Sequence, residues 1–169
     1  MMPRVLIAEE SLPYRRVLRE ALVSFCGCEV DDTPSAETAF EMAMRRSYSL
    51  FLFSLPLTPF PGDLLDRLLV TAYPLAHPGR AAAPPVIFLL RPDETHRAPE
   101  LTRQARMRGH LVIPPKLDAL FRLTAPILGS SPGATLPGPP VDSPPPPPEV
   151  FSDPFAPLPP LAPEPTPPP

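Results

Sequence analysis

Tryptophan is absent, lysine occurs once (Lys116), and cysteine occurs only as Cys26 and Cys28. Each scarcity excludes a class of protein. Two cysteines one residue apart sit too close for an ordinary structural disulfide. With no second pair they do not make a zinc knuckle either. They predict buried or half-buried thiols in a reducing cytoplasm. Seven glycines, none clustered after an apolar run, leave no glycine-rich phosphate loop. No apolar stretch approaches the roughly 20 residues of a membrane span. The first one, Val5 to Ala8, is stopped at once by Glu9-Glu10, so no secretory leader is expected. One lysine against fourteen arginines reads as coding bias, not as phosphate-binding design.

What the chain has in excess is proline, 33 in all, of which 18 fall between Pro132 and Pro169. That stretch includes an unbroken proline run over 144–148 and no Lys or Arg. Proline lacks the amide donor and clashes with the preceding helical turn, so neither helix nor sheet is expected there. The composition predicts a disordered segment of polyproline II character. Two units follow: a folded domain over 1–129 and a proline-rich tail over 130–169. Roughly 125 residues suffice for one domain with one core. The net charge is −3; Asp142, Glu149, Asp153 and Glu164 give the tail −4, leaving about +1 on the domain. That near-neutral balance argues against nucleic acid as a partner.

Within the domain, apolar runs alternate with helical periodicity. Residues 4–8, 28–30, 50–55, 86–90 and 111–113 read as strands. Between them, Val17, Leu18, Ala21, Leu22 and Phe25 recur at helical spacing, with Gly27 as the C-cap. Ala36, Ala39, Phe40 and Ala43 mark a second helix that opens at 33–37. Leu64, Leu65, Leu68 and Leu69 mark a third over 63–71, followed by a Pro- and Ala-rich connection over 73–84. A short basic helix is expected over 99–108. A last one over 116–128 turns Leu117, Leu120, Phe121 and Leu123 inward. Strands that are apolar throughout, alternating with amphipathic helices, predict a parallel sheet covered on both faces. Right-handed crossovers leave few topologies for such a sheet, and its ligands bind beyond the carboxyl ends of the strands.

Three segments sharpen this. Val5-Leu6-Ile7-Ala8-Glu9-Glu10 is a strand ending in an acidic pair. Leu50-Phe51-Leu52-Phe53-Ser54 is a buried strand with Gly62 eight residues beyond its last residue. Pro85-Val86-Ile87-Phe88-Leu89 is a third apolar strand. In this order and spacing the chain resembles the receiver domain of bacterial two-component response regulators, over residues 4–128. The resemblance implies an α/β, flavodoxin-like doubly wound sheet in the order 2-1-3-4-5.

It also implies a phosphate-accepting Asp at the end of the third strand, and that position holds Ser54. The acidic pair, which in the family holds Mg²⁺ together with the acceptor, is retained as Glu9 and Glu10. The fourth strand of the family ends in a Ser or Thr; here Leu90 stands there. The strand-five aromatic aligns with Leu111. A Lys directly before a proline follows that strand in the family, and the matching position is Pro114.

A serine hydroxyl without a neighbouring base is a poor nucleophile, and none of His77, His96 or His110 falls at a strand end facing the site. Phosphoryl transfer rests on positioning and electrostatics. Nucleophile, cation and hydroxyl donor are all missing, which implies a degenerate pseudo-receiver rather than an enzyme. No cofactor is expected beyond weak or absent Mg²⁺ binding at Glu9 and Glu10. The family commonly docks proteins through helix four, strand five and helix five. Arg103, Arg106, Arg108 and Arg122 are the expected partner surface on that face. The alternatives are an adaptor that binds partners through tail segments such as Pro157-Leu158-Pro159-Pro160-Leu161, and a conventional single-domain response regulator. The expected setting is cytoplasmic, with no nucleic acid and no membrane.

Overall fold

The computed structural model of the chain describes residues 2–104 and 106–129. The predicted tail over 130–169 lies outside the described residues. The elements are β1 (Arg4–Ala8), α1 (Leu12–Cys26), β2 (Glu29–Thr33), α2 (Ala36–Arg45) and β3 (Leu50–Ser54). They continue with α3 (Gly62–Ala76), β4 (Val86–Leu90), a 3-10 segment (Pro92–Arg97), α4 (Ala98–Thr102), β5 (Met107–Val112) and α5 (Leu117–Leu128). All four strand pairings are parallel, and the sheet runs β2-β1-β3-β4-β5 as expected. Every residue of β3 and β4 is buried, which is why these strands read as continuous apolar runs.

Alternate residues of each strand feed two cores. Leu6, Ala8, Phe51, Phe53, Phe88 and Leu90 face α2, α3 and α4. Val5, Ile7, Leu50, Leu52, Ile87 and Leu89 face α1 and α5. Sequence spacing overstated the inward stripe of the helices. Val17, Phe25, Leu64, Leu68 and Leu117 are exposed, because the sheet needs only a narrow strip from each helix. Phe25 instead lies against Phe121 with ring centroids 5.0 Å apart, joining α1 to α5.

Several boundaries differ from expectation. The second strand starts at Glu29 and reaches Thr33, and α2 starts only after Ser35, whose side chain caps it by accepting from the Thr38 amide. Helix α3 continues through Pro74 to Ala76. Its last turn is anchored by Tyr73, fully buried, whose hydroxyl accepts the Tyr48 amide at 2.8 Å. That burial outweighs the ladder bond that Pro74 cannot make.

The basic helix expected over 99–108 is replaced by the 3-10 segment and a five-residue α4. Residues 107 and 108 go instead to β5, which carries a bulge. Met107 pairs with Val86 and Gly109 with Ile87, leaving Arg108 unpaired. The bulge inverts the parity of the strand. Met107 packs with the α3 side, whereas Leu111 packs with the α5 side. Gly109 permits this at φ 147°, and a side chain there would meet Leu123 Cδ2 at 2.6 Å. His110 and Val112 then share the face of Phe88 and Leu90, where α4 is too short to cover them, and both are exposed.

Gly62 opens α3 in contact with the end of β3. A Cβ placed on it would lie 2.1 Å from the Ser54 carbonyl oxygen, and its amide bonds to Leu55 O at 3.0 Å. Backbone on both sides leaves no flexible group to yield. Gly62→Ala is therefore expected to cost roughly 1–3 kcal/mol, read as a lower midpoint in urea unfolding. An unchanged midpoint would mean that the loop between β3 and α3 gives way freely.

Candidate functional site

The carboxyl ends of β1, β3 and β4 meet as topology requires, since Ala8 pairs with Phe53 and Ser54 with Leu89. Carrying the first register one step further sets Glu9 beside Ser54. Glu9 is only 4% exposed. Its amide donates to Thr33 O at 3.1 Å, and its Oε1 accepts the Ser11 amide at 2.8 Å. The second oxygen, Oε2, is buried without a partner among the described residues, and so is Ser54 Oγ. Ser54 itself is fully buried. Glu10 turns outward and accepts the Thr58 hydroxyl at 2.8 Å, tying the loop after β1 to the loop after β3. Thr58 also bonds onward, its carbonyl accepting the Ala36 amide at 3.0 Å.

Arg15 carries no signal in the sequence, where it reads as part of a solvated helix face. Its Nε donates to Asp32 Oδ2 at 2.8 Å and its Nη1 to the Glu9 carbonyl at 2.8 Å. Arg19 pairs with the same Asp32. The loop carrying the acidic pair is thus held by a guanidinium bridging from β2. Only the strand alignment, which brings the end of β2 beside β1, makes that contact legible.

A magnesium ion in the manner of receivers needs several oxygen donors in near-octahedral array. The residues present do not fit one. Glu9 offers a single unengaged oxygen, Glu10 turns its carboxylate outward with one oxygen on Thr58, and Ser54 offers a neutral hydroxyl. Among the described residues, no group of three or more His, Cys, Asp or Glu is placed to hold a metal. The other positions carry no phosphate-binding group. Leu90 is fully buried in the core. Pro114 is exposed, Ile113 before it is buried, and Lys116 is exposed at the start of α5.

Leu111 is buried against α1 and α5, so it does not stand where an aromatic residue could swing between the site and the α4 face. Bulged pairing gives that face to His110 and Val112. The thiols offer no nucleophile: burial pushes Cys28 up to about 11 and also raises Cys26.

Of the four arginines expected on the partner surface, Arg106 is not available. Its Nη1 lies 3.0 Å from Asp66 Oδ1, and its Nε donates to Pro84 O at 3.0 Å and Ala83 O at 3.2 Å. Arg103 is exposed just past α4, not on a longer helix. Arg108 is exposed on β5 and Arg122 on α5. These two line one cleft of about 460 Å³ with Pro85, Leu123, Pro126 and Ile127. Among the described residues Arg122 has only a loose pair with Asp118, at 3.8 Å and largely exposed, which holds little energy.

No family model matches the chain, and no curated protein matches it. Solved structures do. The chain is similar to the receiver domain of AraT, a response regulator from Geobacillus stearothermophilus, at 23% identity and a TM-score of 0.63, covering 75% of this chain and 93% of that one. It is similar to a Francisella response regulator receiver domain at 18% identity and a TM-score of 0.59, covering 72% and 93%. A signal receiver domain of an HD domain-containing protein from Pseudomonas fluorescens matches at 15% identity and a TM-score of 0.63, over 76% and 95%. Likeness at these identities fixes the fold: five parallel strands in receiver order, flanked by helices on both faces.

Ser54→Asp would set a third carboxylate beside Glu9 in a fully buried position. Like charges without a counter-ion raise one another's pKa and cost stability. The variant is expected to lose roughly 1–3 kcal/mol without metal and to bind Mg²⁺ on the order of tenfold tighter than the parent. Thermal melts and calorimetric Mg²⁺ titration read both. If neither changes, residue 54 does not face Glu9.

Proposed function

We propose that this chain is a signalling protein of the two-component type whose receiver-fold domain works as a non-phosphorylatable pseudo-receiver, through contacts with protein partners. The observation that carries the reading is the strand-end site itself. Its acceptor position is a buried, neutral Ser54, and the flanking positions are apolar Leu90 and Pro114. An acyl phosphate needs a carboxylate acceptor, a metal or cation for the incoming charge, and a donor for the phosphoryl oxygens. At the matching positions Ser54 supplies no carboxylate, Pro114 no cation and Leu90 no donor. The reading is therefore of a binding module and not an enzyme, working without Mg²⁺ or other cofactor.

The partner surface in this reading is the β5–α5 side. Arg108 and Arg122 flank an apolar floor of Pro126, Leu123 and Ile127, and His110 and Val112 lie uncovered on β5. Guanidinium groups beside apolar carbon suit a protein surface that carries carboxylates around an apolar anchor. Among the described residues no helix is long and apolar enough to cross a membrane. Two raised, unpaired thiols accord with a reducing cytoplasm.

Incubation with acetyl phosphate and Mg²⁺, followed by intact-mass measurement, is expected to leave the mass unchanged. A stoichiometric, hydroxylamine-labile adduct would instead make the chain a conventional response regulator. Affinity capture with the full chain, the chain cut after Gly129, and Arg108→Glu/Arg122→Glu tests the surface. The reading expects the cut chain to retain its partners and the double variant to lose them. Loss on cutting alone would move the function to the proline-rich segment.

A further inference from the structure

The solvent side of α3 is almost free of charge. Its core face is Leu65, Leu69 and Tyr73. Turned away from the core are Leu64, Arg67, Leu68, Val70, Thr71 and Leu75, all exposed. Only Arg67 among them is charged, and its Nη2 donates to Asp63 Oδ2 at 3.3 Å. Asp63 also accepts from Arg97 Nη2 at 3.0 Å. Exposed apolar residues occur on α1 too, but there Arg16, Arg19 and Glu20 are exposed among them.

Four of the α3 residues form a single band. Leu64, Leu68, Thr71 and Leu75 follow one another at spacings of four, three and four, which at 3.6 residues per turn keeps them on one face. That face lies opposite the core. The three leucines are 39, 43 and 79% exposed. Alternating steps of four and three are the seam of a coiled coil, whose a and d positions wait for a partner helix. The helix runs through Pro74 to Ala76, so Leu75 keeps its place in the band.

We propose that this band is a self-association surface, on which a second copy of the chain docks with the two α3 helices antiparallel across a two-fold axis. The spacing reads the same in both directions. Antiparallel packing therefore sets Leu64 of one copy against Leu75 of the other, and Leu68 against Thr71. Parallel packing would instead put the two Thr71 hydroxyls face to face in the middle of the seam. Antiparallel helices also oppose their macrodipoles. A two-fold interface sets one patch against itself, so it suits a face without net charge. Arg67 fits that requirement, since Asp63 offsets its charge. The two Arg67 would also stand five residues apart along the axis, about 8 Å. A lipid surface would call for basic residues beside the apolar stripe, and only the engaged Arg67 stands there. The α5 surface is different, because Arg108 and Arg122 would repel their own copies. It also lies on the other face of the sheet, so the α3 band stands independently of the pseudo-receiver reading.

A seam of about three turns buries less than the roughly 1,600 Å² of a standard interface. The dimer is accordingly a weak one. Sedimentation of the full chain across concentration is expected to show monomer and dimer in exchange, with association from about 100 µM upward. Leu68→Glu places two charges in the seam and is expected to weaken association at least about tenfold. Thr71→Leu fills the central layers with apolar carbon and is expected to tighten it at least about tenfold. Orientation is read from two double variants. Leu64→Lys with Leu75→Glu brings opposite charges together only in antiparallel packing, and should associate about tenfold more tightly than Leu64→Lys with Leu75→Lys. All four positions are exposed, so the variants are expected to melt with the parent. Should one of them fail to fold, the parent series and Thr71→Leu decide. A full chain that stays monomeric up to about 1 mM overturns the proposal. So does a dimer that Leu68→Glu and Thr71→Leu leave unchanged, which would place self-association on another face. Equal association of the two double variants overturns the antiparallel arrangement.

Discussion

Burial of β3 on both faces is the constraint on which the rest depends. Leu50, Phe51, Leu52, Phe53 and Ser54 are all fully buried. A strand in that position cannot spare a face for water, so helices must cover both sides. Phe51 alone meets Phe53, Tyr48 and Tyr73, with ring centroids 4.9, 6.0 and 5.7 Å away. Aromatic packing on this scale fixes α3 against the sheet. It also decides the character of the site, because the last residue of the strand, Ser54, is as buried as those before it.

A buried strand end changes what a polar residue can do there. A carboxylate in that place would need a metal or a cation to offset its desolvation and its repulsion with Glu9. Neither is provided by the flanking residues. A serine carries no such cost beyond one unmade hydrogen bond. The acidic pair is engaged in contacts of its own. Glu9 folds back on the Ser11 amide, Glu10 joins Thr58, and Arg15 grips the carbonyl of Glu9. The three contacts tie together the loops at the carboxyl ends of β1 and β3 and the start of α1.

Much of the fold was legible because its strands are short and apolar throughout. Residues 50–54 and 86–90 could be read as strands from composition, and the acidic end of β1 fixed the alignment of the first turn. Glu9 follows β1 and Ser54 ends β3 on neighbouring strands, while Glu10 turns outward to Thr58. The region from Pro92 to Val112 was less legible for a physical reason. Two prolines, at 92 and 99, break the helical pattern, and a bulge at Arg108 inverts the alternation on which strand reading depends. Arg106 looked like surface from its spacing and proved to be bound at the start of β4, since an arginine's long side chain can reach carbonyls that no local pattern reveals. Leu111 was misplaced for the same reason of parity.

The distribution of charge follows from these facts. The edge strand β2 carries Glu29, Asp31 and Asp32, and these are matched by Arg4, Arg46, Arg15 and Arg19. Charged side chains on an edge discourage pairing with another strand. The opposite edge, β5, is guarded differently, by a bulge and by Arg108 and His110. Its acidic counterweights, Asp63 and Asp66, are turned inward to α4 rather than outward to the edge. Among the described residues, the β5–α5 side is left with guanidinium groups lacking strong partners, next to exposed apolar residues. On a domain of nearly neutral charge, that local imbalance sits on the face away from the acidic edge strand β2.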